Sequence, residues 1–363
     1  MIAVDALESI GVHNQLRLQF LTALRRRWST EVFAQLRAEY CVAINAGHSA
    51  KTREEAAALI ERCPTYPWFS WLERGGQKLK WRVITDIVAM EWSRLGAQFD
   101  SEQPSRVKLD PDLPLPNWYT AWDIHCQPGG VWGDISSALV YELGTKVLHL
   151  GRNDKFEMHR LFTETAVPNR KYRRIVDLGC GFGKSTIPFK ERFPDAEVIG
   201  IDLSGPCVTL GATRSAQAGV DVSFRQANAA NTYLEPESAG LVTGTMVLHE
   251  MPIPALRDLF LEVARILEPG GLCRFLEFSR MGDLFRDAVM NHHAVRNNEP
   301  FMQGLMDLDV RRELAAAGLV GGHWVPFDER GAGIVAEYPA RDEWHFPWAV
   351  LVAEKPVHQR VVQ

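Results

Sequence analysis

Apolar residues recur at intervals of three and four through roughly the first hundred positions, then give way, beyond about position 170, to short near-continuous apolar runs. Leu21, Leu24, Trp28, Val32 and Leu36 form one stripe and predict a helix from about Gln15 to Ala43. A second helix is expected from near Thr52, through Ala57, Ala58, Leu59 and Ile60, ending before Pro64. A third, from Gly76 to Gly96, aligns Leu79, Val83, Ile87, Met90 and Leu95. No alternating pattern in this part predicts a strand. A further helix is expected from Ser136 to Leu150, and Phe156 to Thr165 leads into the region where the pattern changes.

There the order becomes strand, helix, strand. The short run Arg174-Ile175-Val176 precedes Asp177, and Ala196 to Ile201 ends at Asp202. Val220 to Phe224 alternates, whereas Leu241 to Leu248 is apolar nearly throughout, as a strand covered on both faces requires. Between Asp202 and Val220, Ser204 is placed to cap a helix running towards Gly219. Leu256, Leu259, Phe260, Val263, Ile266 and Leu267 share one helical face, and Pro269-Gly270-Gly271 is expected to stop that helix before the strand Leu272 to Phe278. An insert, Ser279 to Leu305, precedes a helix to Ala317 and two last strands, Val320 to Phe327 and Phe346 to Ala353. The expected architecture is α/β: a seven-stranded, mostly parallel Rossmann-like sheet over residues 166–363, behind an α-helical domain over residues 1–165.

The chemistry concentrates where the first strand ends. Asp177-x-Gly179-x-Gly181-x-Gly183 stands between strand and helix, where glycines let the backbone approach a ligand and a helix start offers free N–H groups. A phosphate-binding P-loop needs four residues before its Gly-Lys pair, but Gly179 and Gly183 enclose three. The dinucleotide fingerprint wants glycine or alanine where this chain has Lys184. What remains resembles the first motif of class I S-adenosylmethionine-dependent methyltransferases. The downstream order of apolar strand, His249-Glu250-Met251-Pro252, helix, Pro-Gly-Gly and strand resembles that family too. The resemblance covers about Arg170 to Glu354, roughly half of the chain.

It implies a last strand inserted antiparallel, S-adenosylmethionine as cofactor, and in-line transfer of its methyl group. By it, Gly179, Cys180, Gly181 and Gly183 approach the methionine part, Asp202 with Leu203 the ribose, and Asn228 with Ala229 the adenine, while Asp177 and Met246 sit at the same strand ends. An acid at the tip of a second strand accepts ribose hydroxyls in NAD-binding proteins as well, so Asp202 does not choose the ligand. His249, with Glu250 beside it, is the catalytic candidate, because an imidazole near neutral pKa after a central strand can deprotonate an acceptor. The alternative for His249 is a helix-entry histidine bonded to Glu250 or to backbone.

Before the sheet, Asp110 to Asn117 is broken by prolines and runs into an aromatic stretch from Trp118 to Trp132, with His125 and a Pro-Gly-Gly turn. Aromatic rings with polar tips suit a lid over a small-molecule pocket, spanning about 110–135; an aromatic seam between two domains is the alternative. Tyr119, Trp122, His125, Glu277, His292 and His293 are candidates for acceptor contact. The formal net charge of −5 and pI near 6.1 offer no field for nucleic acid or an anionic membrane. Six scattered cysteines without a C-x-x-C pair give neither a disulfide framework nor a zinc expectation, and fit a reducing compartment. Met1 to Gly11 lacks a signal-peptide pattern, and no apolar run is long enough to span a membrane. Methyl transfer to a small molecule by a cytoplasmic protein, with no metal and with homodimerisation left open, is therefore expected. A nicotinamide-dependent oxidoreductase and a catalytically silent S-adenosylmethionine-binding protein are the alternatives.

Overall fold

A computed structural model describes residues 10–99 and 106–357; most of the stretch Met1 to Gly11 lies outside the described residues. Among them, nine strands form one sheet: β1 (Val107–Lys108), β2 (Arg174–Leu178), β3 (Glu197–Asp202), β4 (Ser223–Gln226), β5 (Ala239–Thr245), β6 (Leu267–Phe278), β7 (Val320–Asp328), β8 (Gly333–Ile334) and β9 (Trp348–Glu354). Their order is β1-β4-β3-β2-β5-β6-β9-β7-β8. Pairing is parallel from β1 to β6, and β9 enters antiparallel between β6 and β7. The expected seven strands are all present. The two extra ones, β1 and β8, are two-residue additions at the sheet's edges, too short to show as a pattern in sequence.

Strand geometry divides the core in two. Successive side chains point to opposite faces, so Ile175, Val198, Leu241 and Val350 enter one buried cluster, while their neighbours Val176, Ile199, Val242 and Leu351 enter another. The second cluster is closed by the helix Ile253–Ile266, through Leu256, Phe260 and Val263. The first is shared with the helical part of the chain: Trp28, Phe33, Leu36 and Phe69 lie in the same cluster as Phe285 and Val350. Burying each of these large side chains contributes about 1.5–3 kcal/mol.

Several boundaries differ from expectation for identifiable reasons. The first helix runs as Val12–Arg27, a π-turn at Trp28–Val32, and Phe33–Asn45. At the π-turn the Trp28 indole stacks on Phe69 at 4.9 Å and donates to the Phe69 carbonyl at 3.1 Å. The third helix begins at Tyr66, ten residues before Gly76, because Pro67 occupies its first turn, where no N–H is needed. The helix before β6 ends at Ile266, so Pro269-Gly270-Gly271 does not stop it but lies inside β6, at a register shift against β5. No helix among the described residues is long and apolar enough to cross a membrane.

Candidate active site

The turn after β2 is built by positive φ angles at Gly179 (67°), Gly181 (51°) and Gly183 (83°). Asp177 is fully buried beneath it, its Oδ2 accepting hydroxyl hydrogen bonds from Ser185 and Thr186 at 2.6 Å each. Burial raises its pKa to about 6, against the lowering effect of the two hydroxyls. The side chain thus secures the start of the helix Thr186–Arg192 through Oδ2, while its Oδ1 is buried without a hydrogen-bond partner among the described residues. The Cys180 thiol is buried, and its Sγ would lie 2.9 Å from a Cβ built on Gly200 of β3.

Asp202, at the tip of β3, accepts from the Gly181 N–H and from the Ser204 N–H, both at 2.8 Å. Its carboxylate therefore ties the glycine turn to the end of the neighbouring strand. Burial raises its pKa, and the backbone donors oppose the shift. The Leu203 carbonyl accepts from Gln226 Nε2 at 3.2 Å. At the tip of β4 the Asn228 Oδ1 accepts from the Ala230 N–H at 2.9 Å. That is the geometry of a turn residue, with Ala229 buried beside it. Met246, after β5, has a positive φ of 54° and donates its N–H to Leu276 in β6 at 2.9 Å.

The aromatic stretch lies across these strand ends. Ser204 Oγ donates to the Val131 carbonyl at 2.5 Å, and the Asp110 N–H donates to Gln226 Oε1 at 3.2 Å. The Tyr119 ring sits 5.1 Å from that of Trp132. Its hydroxyl is buried without a hydrogen-bond partner among the described residues. Burial, followed by the Asp202 carboxylate, pushes the phenol pKa well up. Tyr141 had no signal in the sequence, yet its Cε1 lies 3.7 Å from where a Cβ on Gly181 would stand. Trp122 is 47% exposed and has no aromatic ring partner among the described residues.

Beyond Met246, a cavity is lined by His125, Tyr141, Met246, His249 and Phe278 among others. His249 stands on the 3₁₀ turn Leu248–Glu250, with Nδ1 2.7 Å from Glu277 Oε1 and Nε2 3.4 Å from Glu250 Oε1. Burial would lower its pKa, but Glu277 and Glu250 together raise it well above the ordinary value. Both ring nitrogens face carboxylates, which argues against His249 as a free general base. Glu277 is also corrected as an acceptor contact: it is fully buried and takes the N–H groups of Leu248 and Phe278 at 2.9 and 3.0 Å.

His125 comes from the aromatic stretch, its Nε2 2.9 Å from Glu250 Oε1 and its Nδ1 3.0 Å from Glu299 Oε1. Burial opposes protonation, yet Glu250 and Glu299 raise its pKa to about 9. His293 also lines the cavity but gives its Nδ1 to Glu73. His292 points elsewhere, its Nε2 3.3 Å from Glu61 and its ring against Tyr66, so its expected acceptor contact is corrected too. Glu299, Glu73 and Tyr141 carried no local motif; nothing but the folded chain brings them here.

The family described as "Methyltransferase domain" matches residues 175–271. Trans-aconitate 2-methyltransferase of Methylobacterium nodulans is 38% identical over 105 residues, 29% of this chain and 38% of that protein. Demethylmenaquinone methyltransferase of Thermus thermophilus is 32% identical over 108 residues, 29% of this chain and 47% of that protein. The chain thus spans less than half the length of these curated relatives. A solved S-adenosylmethionine-dependent methyltransferase of Thermotoga maritima, 20% identical, aligns with 60% of this chain and 95% of its own at a TM-score of 0.41. The strand order, the glycine turn after β2 and these sequence matches make the segment around residues 175–271 similar to class I S-adenosylmethionine-dependent methyltransferases.

Proposed function

We propose that this chain transfers a methyl group from S-adenosylmethionine to a small-molecule acceptor. The observation that carries the proposal is the position of Tyr141. It borders the glycine turn on one side and, with Met246, lines the cavity on the other, which supports a donor at the turn and an acceptor in the cavity. When bound, the cofactor supplies an electrophilic methyl group. Gly179, Gly181 and Gly183 would border its methionine part and Asp202 its ribose. The unpartnered hydroxyl of Tyr119 is the buried polar atom that such a ligand would satisfy.

In-line displacement asks mainly for alignment and exclusion of water. The aromatic stretch closing over the strand ends, and the helical part over residues 1–165 that we assign as a covering domain, suit that demand. The mild negative charge fits a small acceptor better than a nucleic acid, and a cytoplasmic setting is part of the same proposal.

Asp202→Ala is expected to weaken binding of S-adenosylmethionine at least tenfold. It removes an anionic acceptor for two hydroxyls, worth about 1.5–3 kcal/mol, and frees the Gly181 N–H that holds the turn. Isothermal calorimetry decides: unchanged affinity would take Asp202 out of the site. Tight NAD(H) binding without response to S-adenosylhomocysteine would instead identify an oxidoreductase.

A further inference from the structure

We propose that His125, His249 and Glu250 are the ligands of one divalent transition-metal ion on the acceptor side of the cavity. Their donor atoms lie within 4.8 Å of one another. Glu250 Oε1 is 2.9 Å from His125 Nε2 and 3.4 Å from His249 Nε2, so both rings present the same nitrogen to one carboxylate.

The far side of each ring separates this arrangement from an ordinary ion pair. His249 Nδ1 faces Glu277 Oε1 at 2.7 Å, and His125 Nδ1 faces Glu299 Oε1 at 3.0 Å. A carboxylate behind Nδ1 keeps the proton there and turns the Nε2 lone pair outward, which is how metal-ligating histidines are held. Glu277 is pinned by backbone N–H groups, and the backbone of His125 is held by the Trp81 indole, which donates to its carbonyl at 2.5 Å.

Charge points the same way. Glu250, Glu277 and Glu299 surround two rings in a largely buried space, and buried anions require compensation. One divalent cation supplies the charge that two added protons otherwise would. Independently, Glu299 Oε2 is buried, lines the same cavity and has no hydrogen-bond partner.

Two imidazoles and one carboxylate suit zinc, iron, cobalt or manganese, whereas magnesium and calcium prefer oxygen donors alone. Three protein ligands leave positions open to the cavity. The role of the ion rests on the methyl-transfer proposal. An acceptor O–H or S–H bound to it would lose its proton to solvent more readily. The resulting lone pair would form the new bond to the methyl carbon, as the old carbon–sulfur bond returns its electrons to the donor sulfur.

The test uses the full chain stripped with EDTA and titrated with Co²⁺, followed by calorimetry and visible absorption in the absence of any adenosyl ligand. One equivalent is expected to bind with ligand-field bands. His125→Ala and Glu250→Gln are expected to weaken binding at least a hundredfold, and Glu299→Gln, which preserves shape, by about 10–100-fold. The distant His292→Ala should bind Co²⁺ as the parent does. Absence of saturable binding in the parent chain, or equal binding in all the variants, overturns the metal site. S-adenosylhomocysteine affinity measured on the same samples separates the two proposals: Co²⁺ binding without it leaves the metal and removes the donor, and the reverse removes the metal alone.

Discussion

Glu73→Ala is expected to cost about 3–5 kcal/mol of folding stability, read as a lower urea midpoint at unchanged slope. Glu73 lies in the helix Tyr66–Met90, and its carboxylate receives His293 Nδ1, Arg296 Nε and Asn297 Nδ2, all at the end of the helix Leu284–Arg296 or just beyond it. It therefore joins the helical first part of the chain to the insert before β7. Removing it strands the Arg296 guanidinium, whose Nη2 already lacks a partner in a buried position. A buried charge without its counter-ion is what makes the loss large. Arg296→Met combined with Glu73→Leu should recover most of the stability, because the pair is removed together. A fall of less than about 1 kcal/mol in the single variant would show that the network contributes little.

The same carboxylate has a pH signature. Burial would raise its pKa, but Arg296 and His293 outweigh burial and hold it at about 2, below the ordinary 4.5. A depressed folded pKa means that the stabilisation is complete above 4.5 and disappears as pH falls through about 2, an amount on the order of 3 kcal/mol. Glu73→Gln should flatten the stability profile in that window.

Gly179→Ala is expected to lower affinity for S-adenosylhomocysteine at least a hundredfold and to destabilise the fold by about 1–3 kcal/mol. The backbone there has a φ of 67°, and a Cβ would stand 2.3 Å from Val247 Cγ2 and 2.7 Å from Val247 Cβ. Neither side can yield easily. The glycine follows β2 directly, and its N–H is bonded to Ile201 in β3 at 2.8 Å, while Val247 opens the turn carrying His249. Adding the methyl group would push the two central turns of the site apart. Val247→Ala should restore part of the affinity by removing the nearer contact. Calorimetry on both variants checks this, and near-parental binding by Gly179→Ala would show that the turn adapts.

Local chemistry made much of the molecule legible. Period-two and apolar runs located seven strands because each buries one face or both, and that demand is met residue by residue. Ser204 was readable as a cap for the same reason: its hydroxyl accepts from the Cys207 N–H three positions on, at 3.1 Å. The glycines of the turn were legible through the backbone angles they permit. Less so were the roles of side chains beside them. Asp177 and Glu277 occupy the strand tips where ligand contacts are expected, yet both turn inward to hold neighbouring hydroxyls or backbone N–H groups. Sequence spacing cannot state which way such a carboxylate turns.

By itself, then, the amino-acid order determined the alternation of strands and helices, the glycine turn after β2 and the acid at the tip of β3, since each depends on neighbours within a few residues. The tertiary structure alone decided that His125 meets His249 across Glu250, that Glu299 and Glu277 stand behind them, and that Glu73 fastens the two parts of the chain. Those partners are far apart in sequence. They come together because aromatic and aliphatic packing on both faces of the sheet leaves buried charges no water, and each must find its counterpart across the fold.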